Sequence, residues 1–268
     1  MHSSGHGIPA MTIVPRQLHP FIEGMTWTRI TIGESKSDTF RLDRSGHAAL
    51  YLKIAPRIHW KALLWEKERL DWLHGRLPVP DVVGYETDDR NEYLLITSLP
   101  GCHIASLTVE EPNEKIINLL ATGLRAIHAI PIHDCPFDMT LDQEIERARH
   151  NVVNDLVDEA DFDDTRLGRS AAELFKELLS TRPAEEDLVF THGDYCLPNV
   201  MMDRKEVSGF VDWGRAGVAD RYKDIALVVG SLERNTGEDL ELAFLEAYGL
   251  SSPDADKIEY YKLLDEFW

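Results

Sequence analysis

The sequence predicts an α+β protein with two lobes, a small β-rich one over residues 1–98 and a larger, mainly helical one over residues 99–268. Three observations carry that prediction. Short runs rich in β-branched and aromatic residues, bounded by turn residues, recur up to Thr97. Beyond Gly101, apolar residues return every three or four positions, the period of a helix. Between the two regions Ser98-Leu-Pro-Gly101 is a natural break. With 268 residues, 43% of them hydrophobic, there is ample core for two lobes.

The charge excludes several function classes. Lys and Arg number 28 against 47 Asp and Glu, a net charge of −19. Binding to nucleic acid or an anionic membrane rests on basic surface, so neither is an expected partner; a polycation is. Cys102, Cys135 and Cys196 are scattered without metal-ligand spacing, which fits a reducing cytoplasm. No apolar run approaches the roughly 18 residues of a membrane helix, and the polar start Met1-His-Ser-Ser-Gly-His-Gly7 does not read as an export leader. A soluble cytoplasmic protein is expected, acting as a monomer or weak homodimer.

In the first lobe, Trp27-Thr-Arg-Ile-Thr-Ile32 and Thr39-Phe-Arg-Leu42 read as strands around the polar loop Gly33-Glu-Ser-Lys-Ser-Asp38. Loop amides of such a hairpin can face phosphates. With one glycine the loop lacks the G-x-G-x-x-G pattern, and an ordinary turn explains it as well. The next strand, His47 to Ala55, is apolar apart from Lys53, either an edge lysine or one that grips phosphate. Tyr51, two residues earlier, points the same way. A helix follows from Trp60 to Leu73, with Leu63, Leu70 and Leu73 in period and Gly75 as its cap. Glu66 or Glu68 on this helix could pair with Lys53, and either could instead be a solvated i,i+4 partner. After Leu77-Pro-Val-Pro80, Asp81 to Tyr85 and Tyr93 to Thr97 form the last strand pair.

The second lobe opens with a core helix from Glu114 to Ile130, carrying Ile116, Ile117, Leu120, Leu124 and Ile127 on one face. Another is expected from Leu141 to Val157, with Leu141, Ile145, Ala148, Val152 and Leu156 inward. His128 and His133 read as structural. Between Asp155 and Asp164 lie six carboxylates in ten residues. Such a tract is either a solvated loop or a site where ammonium groups relieve the repulsion. Helices are expected from Asp224 to Glu233 and from Asp239 to Tyr248. The amphipathic run from Ile258 to Trp268 reads as docked on the body of the protein.

The chemistry lies in Phe190 to Gly214, F-T-H-G-D-Y-C-L-P-N-V-M-M-D-R-K-E-V-S-G-F-V-D-W-G. The segment reads as a loop, a short strand, the charged turn Asp203-Arg-Lys-Glu206 and a strand ending on Asp212. Asp194 is followed by Asn199 five residues on and by Asp212 thirteen beyond that. An aspartate facing an acceptor hydroxyl can orient it and take its proton. Magnesium needs hard oxygen ligands and few of them from protein, which an asparagine and an aspartate supply. The set follows the kinase pattern H-R-D-x-x-x-x-N plus D-F-G, with Gly193 for Arg and Trp213 for Phe.

The runs Asp194-Tyr-Cys-Leu-Pro-Asn199, Ser208-Gly-Phe-Val-Asp212-Trp-Gly-Arg215-Ala-Gly-Val-Ala-Asp220-Arg-Tyr-Lys-Asp224 and Tyr260-Tyr-Lys-Leu-Leu-Asp265-Glu266-Phe267-Trp268 resemble the aminoglycoside phosphotransferase family, most closely its 3'-phosphotransferases. The likeness covers nearly all the chain after about residue 20. It implies a bilobal protein-kinase-like fold that uses ATP and Mg2+ to phosphorylate the 3'-hydroxyl of an aminoglycoside. It implies Asp194 as the base, and Asn199 and Asp212 as metal ligands. On the nucleotide side it implies Lys53 paired with Glu66, Ser35 facing the phosphates, Tyr51 stacked on the base, and the backbone at Ser98 against the purine edge. Asp161, Asp163 and Asp164 fall on positions that bind the antibiotic's amines, joined by Asp265, Glu266 and the carboxylate of Trp268. Arg215 supports the loop by ion pairing or reaches substrate or phosphate. Gly230 stands where the family often has arginine. Two other readings remain: a kinase of this fold acting on choline, homoserine or a macrolide, and a non-catalytic nucleotide-binding module. Choline would call for an aromatic cage rather than carboxylates, and the joint presence of Lys53, Asp194, Asn199 and Asp212 favours catalysis.

Overall fold

The computed structural model describes residues 14–30, 37–57, 62–108 and 111–268. Ser35, the polar start at residues 1–7, and the expected helix start at Trp60 lie outside the described residues. The chain divides into two compact units, one up to Gly101 together with Ser208–Gly214, the other Cys102–Val207 with Arg215–Trp268. Three hydrogen bonds are among those that hold the first unit together. Ser98 donates its N–H to Ala49, Ser208 Oγ donates to the Pro100 carbonyl, and Phe210 N–H donates to the Pro78 carbonyl.

The first unit holds a five-stranded antiparallel sheet in the order β1-β2-β3-β5-β4. The strands are β1 (Thr26–Ile30), β2 (Asp38–Asp43), β3 (Leu50–Pro56), β4 (Val82–Thr87) and β5 (Asn91–Thr97). Side chains alternate across a strand. Leu50, Leu52 and Ile54 therefore share one face, where they pack with Phe40, Leu42 and Leu95 against Leu18 and Ile22 at the short helix α1 (His19–Ile22). Tyr51 and Lys53 take the other face. Helix α2 (Ala62–Leu73) buries Leu63, Glu66, Leu70 and Leu73, a stripe at helical spacing. Its open N-terminal amides are met by the buried Glu92, whose Oε2 accepts from Leu63 at 3.0 Å and Leu64 at 3.3 Å.

The second unit is mainly helical: α3 (Asn113–His128), α4 (Leu141–Val153), α5 (Ala171–Ser180), α6 (Tyr222–Thr236), α7 (Glu241–Tyr248) and α8 (Ala255–Asp265). Short strands carry the functional segment. After the two-residue β6 (Cys102–His103) come β7 (Leu188–Thr191), β8 (Val200–Asp203), β9 (Glu206–Phe210) and β10 (Gly217–Asp220). β7 pairs antiparallel with β10, and β6 with β8. Arg204 and Lys205, both at positive φ, make the tight turn between β8 and β9. Helix α4 stops at Val153, four residues before the expected end. Asp155 has φ +52°, so the chain turns away and Leu156 is 41% exposed instead of buried. No described helix is long and apolar enough to cross a membrane.

Candidate active site

In the first unit, β3 carries Lys53 inward and α2 carries Glu66 to meet it. The ammonium donates to both Glu66 oxygens, at 2.6 and 2.8 Å, and also contacts Asp212 Oδ1. Burial works against the lysine's charge, but the Asp212 and Glu66 carboxylates outweigh it and raise its pKa. Glu68 is exposed. Asp212 has φ +64°, in the left-handed region. It follows the close approach of Gly209 to the Pro78 carbonyl, where a Cβ would come within 2.5 Å. The neighbouring Trp213 is fully buried and donates its Nε1–H to the Phe210 carbonyl at 3.0 Å. Tyr51 is half-buried; its hydroxyl accepts from Arg41 at 3.3 Å. The Ser98 N–H donates to the Ala49 carbonyl at 3.1 Å.

In the second unit, β7 delivers the chain to His192-Gly193-Asp194. Gly193 has φ +81°, and a Cβ there would lie 2.0 Å from the Arg215 carbonyl oxygen, so no other residue fits. The N–H groups of His192 and Gly193 donate to the two oxygens of the buried Asp224, at 2.7 and 2.8 Å. Asp194 N–H donates to His192 Nδ1 at 3.3 Å, so this histidine braces the turn. Five residues on, Asn199 donates its amide to the Asp194 carbonyl at 2.9 Å and to its Oδ2 at 2.8 Å. The polar atom this leaves on Asn199 is the amide oxygen, a hard donor. Among the described residues no three acidic, histidine or cysteine side chains converge as a metal cage.

The carboxylates expected to bind amines differ in what already holds them. Asp161 and Asp164 are exposed. Asp163 is engaged locally: its Oδ1 accepts from the Thr165 N–H at 2.9 Å, the Thr165 hydroxyl at 2.6 Å and the Arg166 N–H at 3.0 Å. Its Oδ2 pairs with the Arg166 guanidinium. Burial raises its pKa, but the Thr165 hydrogen bond and the Arg166 charge overcome this and hold it low. Glu266 accepts from Arg166 at 3.4 Å and lies beside Asp163; burial, then that like charge, push it up to about 7. Asp265 pairs with Arg215 at 2.9 Å, and the Arg215 guanidinium lies 5.2 Å from the centre of the Trp268 ring. The segment is docked: Phe267 is fully buried and its carbonyl accepts from Asn151 at 2.8 Å. At Gly230 a Cβ would meet Arg234 Nη1 at 3.2 Å, so the guanidinium one turn later lies against the bare helix surface.

The structure thus gathers Lys53, Glu66 and Asp212 in one unit. It gathers Asp194, Asn199, Arg215, Asp265 and Trp268 in the other, with Asp163 and Glu266. Sequence reasoning missed Asp224 as the anchor of the loop, and Arg166 as the cation between two expected substrate acids. An aspartate opening an otherwise apolar helix and an arginine just after the acid tract were the available signals.

The chain matches the model of the phosphotransferase enzyme family over residues 26–261. It is 39% identical over 255 residues to an aminoglycoside 3'-phosphotransferase of Niallia circulans, across 95% of this chain and 97% of that protein. Among solved structures, an aminoglycoside-3'-phosphotransferase of type VIII is similar with a TM-score of 0.85 at 37% identity, over 94% of this chain and 97% of that one. An aminoglycoside phosphotransferase from Streptomyces rimosus, solved in complex with ADP and streptomycin, has a TM-score of 0.75 at 26% identity, covering 90% of this chain and 92% of that one.

Proposed function

The chain belongs to the phosphotransferase enzyme family, among its aminoglycoside 3'-phosphotransferases, and from that premise we propose that it transfers the γ-phosphoryl group of ATP to the 3'-hydroxyl of a kanamycin- or neomycin-type aminoglycoside. It works in the cytoplasm, as a monomer or weak homodimer. The observation that carries this reading is the loop of Asp194. Its carboxylate is oriented by the Asn199 amide, and the two residues before it are tied to Asp224.

In the reaction the 3'-oxygen forms a bond to the γ-phosphorus while the bond from that phosphorus to the bridging oxygen breaks, releasing ADP. Asp194 orients the hydroxyl and takes its proton. Lys53, held by Glu66, binds the phosphates as a compact cation. Asn199 and Asp212 would hold magnesium, which would neutralise phosphate charge when bound. Tyr51 offers an aromatic face to the base. Asp161, Asp164, Asp265 and Glu266 offer negative charge to the ammonium groups, in keeping with the net charge of −19. The product carries a phosphate on a polycation, which weakens binding to ribosomal RNA and so confers resistance.

ADP release from MgATP with kanamycin, compared with kanamycin lacking only its 3'-hydroxyl, tests the reading. Release with the first alone is expected; none with either discards the substrate. Asp194→Ala should lower turnover by about a thousandfold with MgATP binding retained. Turnover near that of the wild type would remove Asp194 as the base.

A further inference from the structure

Asp224 is fully buried, and a buried carboxylate is stable only where donors fill its lone pairs. Two donors are the His192 and Gly193 amides. The third is His128 at the C-terminal end of α3, whose Nε2 lies 3.1 Å from Asp224 Oδ2. The His128 hydrogen bond leads the effects that oppose burial and hold this carboxylate below its usual range. The other ring nitrogen, Nδ1, lies 2.7 Å from the Tyr248 hydroxyl at the end of α7. The imidazole and phenol rings also meet edge to face at 5.7 Å.

The polarity of this chain follows from its outer end. Arg221 can only donate, and its Nη1 donates to the Tyr248 oxygen at 3.1 Å. The guanidinium is fixed by Asp187, at 2.5 Å from Nε and 3.2 Å from Nη2. A Tyr248 oxygen that already accepts from Arg221 has its own proton to give, and His128 Nδ1 is the acceptor within reach. An Nδ1 that accepts puts the ring proton of neutral His128 on Nε2, where it faces Asp224.

We propose that Tyr248 is a positioning residue: it sets the tautomer of His128, so that Asp224 keeps both oxygens on the two amides that precede Asp194. The inference rests on the reading of Asp194 as the base. Without the Tyr248 hydroxyl, Nδ1 loses its donor, the ring can carry its proton there instead, and a bare Nε2 would oppose the Asp224 oxygen. The amides of His192 and Gly193 would then hold a carboxylate that moves, and small misplacements of a reacting group lower the rate steeply.

The test combines kinetics with histidine NMR on the whole chain. In long-range 1H–15N spectra, with His128 assigned through His128→Gln, the wild type should show a protonated Nε2 and a bare Nδ1. Tyr248→Phe, which removes one oxygen, should lower kcat about tenfold and leave KM for MgATP and kanamycin within about twofold. It should also shift His128 toward the other tautomer. A protonated Nδ1 in the wild type overturns the proposal, even if the variant fails to fold. So does an unchanged kcat in folded Tyr248→Phe. If the wild type releases no ADP with kanamycin, the substrate reading fails, while the tautomer is still decided by the spectrum.

Discussion

Two clusters, one in each unit, are built from the same parts. Lys53 contacts the buried Glu66 and the more open Asp212; Arg166 contacts the largely buried Glu266 and the more open Asp163. The two aspartates have nearly equal side-chain exposure, 45% and 41%. Their surroundings differ. Asp163 is locked by two backbone amides and a hydroxyl of its own turn. Asp212 contacts a lysine, a point charge that phosphate oxygens can recruit. Exposure alone therefore does not make a carboxylate a ligand site; what already holds it decides. On the proposed reading the first cluster exchanges partners with a nucleotide and the second shapes a surface.

The contrast can be broken most sharply at its cations. Lys53→Met should lower kcat/KM for ATP by about a hundredfold or more, and removing the partner of buried Glu66 should destabilise the fold by about 3 kcal/mol. Steady-state kinetics and urea unfolding read the two effects. A rate close to that of the wild type would make the first cluster merely structural. Arg166→Met should act differently: kcat unchanged, KM for kanamycin raised about fivefold, and stability down by about 1–2 kcal/mol as Asp163 and Glu266 repel. A fall in kcat would erase the distinction.

Glu266 sharpens the comparison through pH. Its pKa rises from an ordinary 4.5 to about 7 on folding, so between those values the folded chain holds more protons than the unfolded one. Its contribution to stability therefore diminishes as pH rises through that window, and Glu266→Gln should flatten that part of the urea profile. Over the same window KM for kanamycin should fall in the wild type as the carboxylate ionises. The smallest effects belong to the exposed acids: Asp161→Asn and Asp164→Asn should each raise KM about twofold and leave kcat and stability alone. A stability loss from either would place it with Asp163.

Much of this was legible in the chain. The apolar run of β3 exposes Lys53 as an exception, and the buried stripe of α3 has the expected spacing. Glu66 could have been separated from Glu68 on spacing alone, because it shares a helical face with Leu63, Leu70 and Leu73. Helix α5 was overlooked although Ser170 and Glu173 form a capping box at its start. The end of α4 was misplaced because Leu156 continues the apolar period, whereas the backbone at Asp155 leaves the helix. Asp163 looked like its neighbours Asp161 and Asp164, and only its turn sets it apart.

The order and type of most elements, the spacing of Asp194, Asn199 and Asp212, and the excess of negative charge are properties of the sequence by itself. They depend on local periodicity, on short-range turn chemistry and on composition. Tertiary structure decided that Asp212 reaches Lys53, that Arg166 stands between Asp163 and Glu266, and that Asp224 receives His128 from 96 residues away. Such partners are distant along the chain and act through a hydrogen bond or an ion pair a few ångströms long. A sequence read locally carries periods and propensities, whereas a contact of that range exists only once packing has fixed both ends.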